Sequence, residues 1–346
     1  MLDIFSSPLS DYFAAILAQL ITDDKFHCAR HLRYTLAIMD QRTRFMLPFA
    51  IIIAVLAVST ASIFIRFAQN DGAPSLVIAA LRLGFATALL APIALTKHLD
   101  EIKRFTLNEI MLGIFSGIFL AVHFATWISS LEYTSVASSV VFVSTGPLWV
   151  ALLSPLLLKE HLAQTAIIGL GLSLAGGTMI GLSDACVWNA GISCPAFADV
   201  LQGRAMWGNF LALLGAWTVT GYLIIGRKLR ARISLIPYIF MVYGMAALVL
   251  IALMFITGNS ALGYESKTYG WIFLLAALPQ LVGHSTYNWA LKYLPAALVA
   301  VMTLGEPIGS AVLAFFILSE SPSPATLLGG VFILAGIYLA SQQTGG

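Results

Sequence analysis

Charge is what this sequence lacks most. Of its 346 residues only 18 are Lys or Arg and 16 Asp or Glu, about 10% together, where a soluble domain carries roughly 25%. With a mean hydropathy of +0.91, most side chains would have nothing polar to face in water. The composition excludes a disordered chain and an ordinary soluble enzyme. A net charge of +2 is too small for a surface that tracks nucleic-acid phosphates. Three cysteines cannot build a disulfide scaffold. No Cys/His metal spacing and no phosphate-cradling glycine loop feeding a soluble domain occurs, so no cofactor is called for and ATP hydrolysis by the chain itself is excluded. No Asp falls inside an apolar run, which removes an intramembrane aspartyl protease. The solvent for most of this chain is lipid.

What is present in quantity is long apolar runs. A helix needs about 20 such residues to cross the hydrocarbon. Ten candidates meet that length, at about 47–68, 75–96, 108–129, 134–157, 163–183, 205–226, 234–257, 269–290, 294–318 and 323–341. Runs such as LVIAALRLGFATALLAPIAL do not alternate in polarity, so an outer-membrane barrel is excluded. The expected fold is an all-α integral membrane protein with ten transmembrane helices.

The basic residues give the orientation. With the N-terminus cytoplasmic and every candidate crossing, fourteen of the eighteen Lys and Arg fall on the cytoplasmic side. Arg204, Lys267 and Arg66 lie at the opposite side, and Arg82 alone lies inside a span. This asymmetry is the positive-inside pattern, and it places both termini in the cytoplasm. Residues 1–46 fit it poorly. The run DYFAAILAQLI is too short to span and has no basic segment before it, which argues against a signal peptide. It reads either as an interfacial helix or as a stretch upstream of a true start at Met39.

The chain also repeats itself. Residues 125–178 laid over 285–338 share 14 identities without a gap, at a constant offset of 160. They include Tyr133/Tyr293, Pro147/Pro307, Glu160/Glu320, Gly169/Gly329 and Gly176/Gly336. Five helices per unit is an odd number, so the second unit must lie inverted relative to the first. The loop charges agree: Lys159 is replaced by Ser319, and Glu132 by Lys292. Inverted repeats suit secondary transport, because two near-equivalent halves can exchange inward-open and outward-open shapes around a midplane site.

The segments SSLEYTSVASSVVFVSTGPLWVALLSPLLLKE, WGNFLALLGAWTVTGYLIIGRKLR and ALKYLPAALVAVMTLGEPIGSAVLAFFILSESPSPATLLGGVFILAGIYLA resemble the drug/metabolite transporter superfamily. More narrowly, they look like EamA-type permeases with two five-helix units. The resemblance covers about residues 45–341. It implies a multi-pass permease of an inner or plasma membrane that moves amino acids, amines, other metabolites or drugs, often outward. It also implies a central cavity lined by the first, third, fourth, sixth, eighth and ninth spans, with the fifth and tenth packed together. The expected organisation is an extension at 1–46, a first unit at 47–183, an external loop at 184–204, a second unit at 205–341 and a tail at 342–346.

Candidate functional residues follow from the cost of polar groups in lipid. Glu306 sits mid-span before Pro307, and its inverted mate is the Gly146–Pro147 pair. Each proline frees a backbone carbonyl, so both are candidate helix breaks. Glu306 could bind an amino group or exchange a proton; the alternative is a structural Glu–Pro pair bonded to neighbouring helices. Arg82 could bind a carboxylate, or serve as a structural or coupling charge. Gln280, His284 and Asn288 follow at i, i+4 and i+8, with Tyr287 beside them, and an α-helix would put that stripe on one face. His123 and Trp127 form the comparable face of the third span, and Trp127 is the repeat mate of Tyr287. Thr218 is a weaker candidate, since hydroxyls often bond their own helix. These residues line a cavity or act as interhelical glue. Cys186 and Cys194 share the external loop and are either bonded or free. The expected partners are a small-molecule substrate, a coupling ion such as a proton, and the bilayer, with the chain a monomer or homodimer. Within transport the rival is a sugar-phosphate or nucleotide-sugar antiporter, which should need more than one buried cation. A passive channel and an intramembrane enzyme are rivals of other classes.

Overall fold

The computed structural model describes residues 41–158, 164–185, 187–189, 191–193, 203–294, 296–303 and 305–341. Cys186, Cys194 and most of the 1–46 extension lie outside them. The chain is helical almost throughout. Helix α1 (Gln41–Ser59) continues into α2 (Ala61–Asn70) through a turn at Thr60, where Ser59 and Thr60 donate their hydroxyls to the carbonyls of Val55 and Ala57. Such back-bonding locally loosens a helix. Gly72, with φ of 86°, makes the reversal into α3 (Ser75–Lys97). The short α4 (Leu99–Ile102) leads into α5 (Leu107–Ser130). Helix α5 opens with a capping box: Thr106 Oγ1 accepts from Glu109 N, and Glu109 accepts from Thr106 N at 2.9 Å.

Helix α6 (Val136–Val143), capped by Ser135, ends before α7 (Gly146–Leu158) begins. Helix α8 (Gln164–Ala185) completes the first half. A three-residue antiparallel pair follows, β1 (Val187–Asn189) with β2 (Gly191–Ser193), in the register Val187↔Ser193. The second half comprises α9 (Arg204–Arg230), α10 (Leu235–Ile256) and α11 (Ser266–Leu275). Helix α11 runs through a π segment at Ala276–His284 into α12 (Ser285–Ala290). Helices α13 (Ala296–Met302) and α14 (Gly305–Leu313), a second π segment at Ala314–Leu318 and α15 (Pro324–Ser341) finish it.

Among the described residues, five helical stretches are long and apolar enough to cross a membrane by themselves: Met46–Asn70, Ser75–Lys97, Leu107–Ser130, Arg204–Arg230 and Leu235–Ile256. The expected spans 134–157, 269–290 and 294–318 are not continuous α-helices. Pro147, Pro279 and Pro307 lie at or beside their interruptions, where each removes a backbone donor. Half-exposed leucines, isoleucines and phenylalanines such as Leu56, Phe115, Leu248 and Phe316 cover the outside. That is the surface a lipid solvent favours and water does not.

The two halves meet through a crossing of α8 and α15. A Cβ on Gly176 would lie 2.4 Å from the Gly329 carbonyl oxygen, and one on Gly336 would lie 2.4 Å from that of Gly169. Between them Ser173 Oγ donates to Ile333 O at 3.5 Å. Adding 160 to one member of each pair and subtracting it from the other turns the first pair into the second and leaves Ser173–Ile333 unchanged. Residue numbers rise along α8 as they fall along α15, so the helices are antiparallel. The two-fold relation between them therefore has its axis across the helices, as an inverted repeat requires. Elsewhere α5 packs on α9 and α10, α3 packs on α10, and α1 packs on the 276–284 segment and α14.

Candidate functional site

A cavity of about 70 Å³ lies where the interrupted helices face one another. His123 and Trp127 of α5 form one wall, and His284 and Tyr287 around the start of α12 form another. Gly146 and Pro147 come from the α6–α7 break, and Thr303 and Glu306 from the α13–α14 break. Tyr222, Val219 and Leu223 of α9 complete the lining with Val143, Ser144, Val299 and Ala300. Three pairs in the lining are repeat mates: Trp127 with Tyr287, Val143 with Thr303 and Gly146 with Glu306. His123 and His284 fall one position from that register. The cavity therefore sits between the two halves and draws equivalent residues from each.

The breaks have a local cause. Pro307 cannot donate to Thr303, and the freed Thr303 carbonyl accepts from Glu306 N at 2.9 Å, a tight turn in place of α-helix. This turn places the Glu306 side chain at the cavity. Among the described residues the Glu306 carboxylate has no ion-pair or hydrogen-bond partner. His123 is held by Nδ1 against the Gly215 carbonyl at 2.9 Å and stacks on Trp127 with ring centroids 5.9 Å apart. His284 meets Phe124 edge-on at 5.4 Å and Tyr287 at 6.4 Å. Two donors of the wall are unsatisfied: Trp127 Nε1–H and Tyr287 O–H are buried without a partner among the described residues.

The remaining candidates lie off the cavity. Arg82 is fully buried and donates through Nε to Gln280 Oε1 at 3.0 Å, with its guanidinium carbon 4.0 Å from the centre of the Phe124 ring. Its two terminal nitrogens have no partner among the described residues. Asn288 donates to Tyr222 Oη at 2.5 Å and to the His284 carbonyl at 2.8 Å. Thr218 bonds its own helix, at Leu214 O and Gly215 O. Of the stripe 280/284/288, His284 lines the cavity, while Gln280 and Asn288 are buried beside it against Arg82 and Tyr222. Tyr222 and Val219 were not among the sequence candidates. Their signal was only the third-residue spacing of two apolar-bodied side chains on α9.

The sequence profile of the EamA-like transporter family matches residues 46–182 and again 206–342, two segments at the same 160-residue offset. The chain is similar to two uncharacterised transporters of Archaeoglobus fulgidus. One is 24% identical over 298 residues, covering 85% of this chain and 96% of the relative. The other is 22% identical over 215 residues, covering 62% and 70%. A solved crystal structure superposes with a TM-score of 0.58 at 21% identity, covering 85% of this chain and 96% of that one, which supports the fold.

Proposed function

The chain belongs to the EamA-like transporter family, and we propose that it is a secondary transporter that exports a small metabolite, such as an amino acid, an amine or a drug, by alternating access. In this reading ten helices cross an inner or plasma membrane as two inverted five-helix units, with both termini in the cytoplasm. The observation that carries the proposal is the cavity lined by repeat mates from both halves, Trp127 with Tyr287 and Gly146 with Glu306. Two equivalent walls can open in turn toward either side, whereas a passive channel gains nothing from them.

Glu306 is the group that would meet an amine or carry a coupling proton. Neither Lys nor Arg lines the cavity among the described residues, which counts against a sugar-phosphate or nucleotide-sugar substrate. An intramembrane serine hydrolase is disfavoured as well, since Ser285 Oγ bonds the Gln280 carbonyl at 3.2 Å and lies 3.3 Å from Tyr243 Oη rather than on a histidine. Purified protein in proteoliposomes tests the reading. Saturable uptake of a small metabolite, accelerated by the same metabolite inside, is expected. Linear, non-saturating flux of every solute would leave a channel instead.

A further inference from the structure

The cavity does not reach equally toward the two ends of the bundle. From the second half it draws Val299 and Ala300 of α13, but not their repeat mates Ser139 and Val140 of α6. Ser139 Oγ instead lies 2.6 Å from Ser130 Oγ of α5, a bond that the mates Val299 and Ala290 cannot make. The cavity therefore leans toward the start of α13 and away from the start of α6. At the closed end stands Glu320. Its carboxylate accepts from Val136 N at 2.9 Å and pairs with Arg66 at 3.2 Å. Arg66 is anchored within the first half by the carbonyls of Leu131 and Thr134, so Glu320 is the arm that crosses from the second. The arm follows Ser319, the one non-glycine residue with positive φ among the described residues, at 57°. Such backbone is uncommon outside glycine and clusters at functional sites. The rod that carries the arm, Gly305–Leu318, begins at the cavity with Glu306 and runs about 20 Å to the latch end. A cleft of about 280 Å³ lies beside the arm, lined by Ser135, Ala137, Ala311 and Ala314, which leaves the rod room to move.

We propose that Glu320 is the latch of a gate on the side that the transporter reading makes external. With Arg66 and the N-terminus of α6 it holds the two halves closed there, and it releases when the cavity opens outward. The inference rests on the transporter reading and adds to it the contact that must break in each cycle. The chemistry suits a reversible contact. The Arg66 and Glu320 side chains are 19% and 29% exposed, so water can replace the ion pair at little cost, as it could not for a fully buried one. The start of α6 also favours a negative charge through its helix dipole, so two attractions return the arm to the same place. Outward opening would then do for Val140 what this structure does for its mate Ala300, bringing it into the cavity lining, because the two halves exchange roles.

The test uses the full-length protein with its three native cysteines replaced by alanine, and a single new cysteine at Val140 or at Ala300. Right-side-out and inside-out membrane vesicles are treated with a membrane-impermeant maleimide, and the labelling rate is read. Glu320→Ala removes the ion pair and the acceptor for Val136 N, whereas Glu320→Gln removes only the charge. Labelling of Val140→Cys from the external side is expected to rise about tenfold with Glu320→Ala and about threefold with Glu320→Gln. Labelling of Ala300→Cys from the cytoplasmic side should fall at the same time. If Glu320→Ala does not fold, the threefold rise with Glu320→Gln decides alone. A merely structural Glu320 would make both cysteines more reactive together, or change neither. Either result overturns the proposal, as does labelling of Val140→Cys from the cytoplasmic side only. Saturable transport with labelling indifferent to Glu320 would leave the transporter reading standing without the latch. Absence of saturable transport for every solute would remove both.

Discussion

Arg66 and Arg227 perform one task at opposite ends of the bundle. Arg66 donates to the carbonyl of Leu131 at the end of α5, and Arg227 donates at 2.6 Å to that of Leu291 at the end of α12. Leu131 and Leu291 are repeat mates, and each Arg ends the first long helix of its half. The N-terminal part of α9 packs on the C-terminal part of α5, at Gly208 beside Ser130 and Tyr133. Arg227 therefore lies far along α9 from the Arg66 end. A cation at a helix C-terminus satisfies orphan carbonyls and opposes the helix dipole.

At the Arg66 end this clamp also joins the two halves. Arg66 donates to Thr134 O at 3.2 Å and pairs with Glu320 at 3.2 Å, while Glu320 accepts from Val136 N at 2.9 Å. Removing Arg66 strips two carbonyls and a carboxylate at once, whereas Glu320→Gln keeps an acceptor for Val136 N. Arg66→Met is expected to cost about 2 kcal/mol or more and Glu320→Gln about 1 kcal/mol or less. Thermal unfolding in detergent measures both. The reverse order would mean that the ion pair, and not the carbonyl clamp, carries the contact.

Glu306→Gln is the direct test of coupling. The amide keeps volume and polarity, so folding should change little, but it cannot take up a proton. Net uptake driven by a pH gradient is expected to collapse while substrate exchange persists. Full pH-driven uptake by the variant would assign the coupling proton to another group.

Much of this site is legible in the sequence because the repeat is written there. The 160-residue offset pairs Gly146 with Glu306 and Trp127 with Tyr287, and both pairs line the cavity. What the sequence hides is the choice of partner. Gln280 and Asn288 carry cavity-type chemistry, but it is taken up by Arg82 and Tyr222 beside the cavity. Backbone acceptors are hidden too. Nothing in the side-chain sequence marks Leu131 or Leu291 as the partner of an arginine, since any residue offers the same carbonyl. Thr218 carries the right chemistry, but satisfies it within its own turn.

Glu101 supplies a pH-dependent contact outside the membrane-spanning helices. Its carboxylate accepts from Ser234 N at 2.8 Å and from Ser234 Oγ at 2.5 Å, tying α4 to the start of α10. Burial would raise its pKa, but the two bonds from Ser234, with His98 nearby, outweigh that and hold it below the usual value. A depressed carboxylate stabilises the fold above its unfolded pKa of about 4.3 and loses that contribution as pH falls through the lower folded value. Glu101→Gln should therefore unfold at a lower temperature than the parent at pH 7, with the gap closing in acid. A gap unchanged below pH 4, roughly the unfolded value, would show that hydrogen-bond geometry rather than ionisation matters.

The α8–α15 crossing makes the sharpest packing prediction, because glycine there is required by contact and not by backbone angle. A methyl group on Gly176 would stand 2.4 Å from the Gly329 carbonyl oxygen and 2.9 Å from Ile333 Cγ1. The oxygen belongs to a helix backbone, so it cannot swing aside as a side-chain end could. The helices must separate instead, which would also strain the equivalent contact of Gly336 with Gly169 on the far side of Ser173. Overpacking of this kind costs about 1–3 kcal/mol. Gly84 is the matched control: it lies within α3, and a Cβ there would meet nothing within 4 Å. Gly84→Ala should gain up to about 1 kcal/mol from helix propensity. Unfolding of the two alanine variants in detergent should therefore move in opposite directions. If Gly176→Ala is as stable as the parent, the two halves are not held at backbone distance, and the two-fold crossing does not form as described.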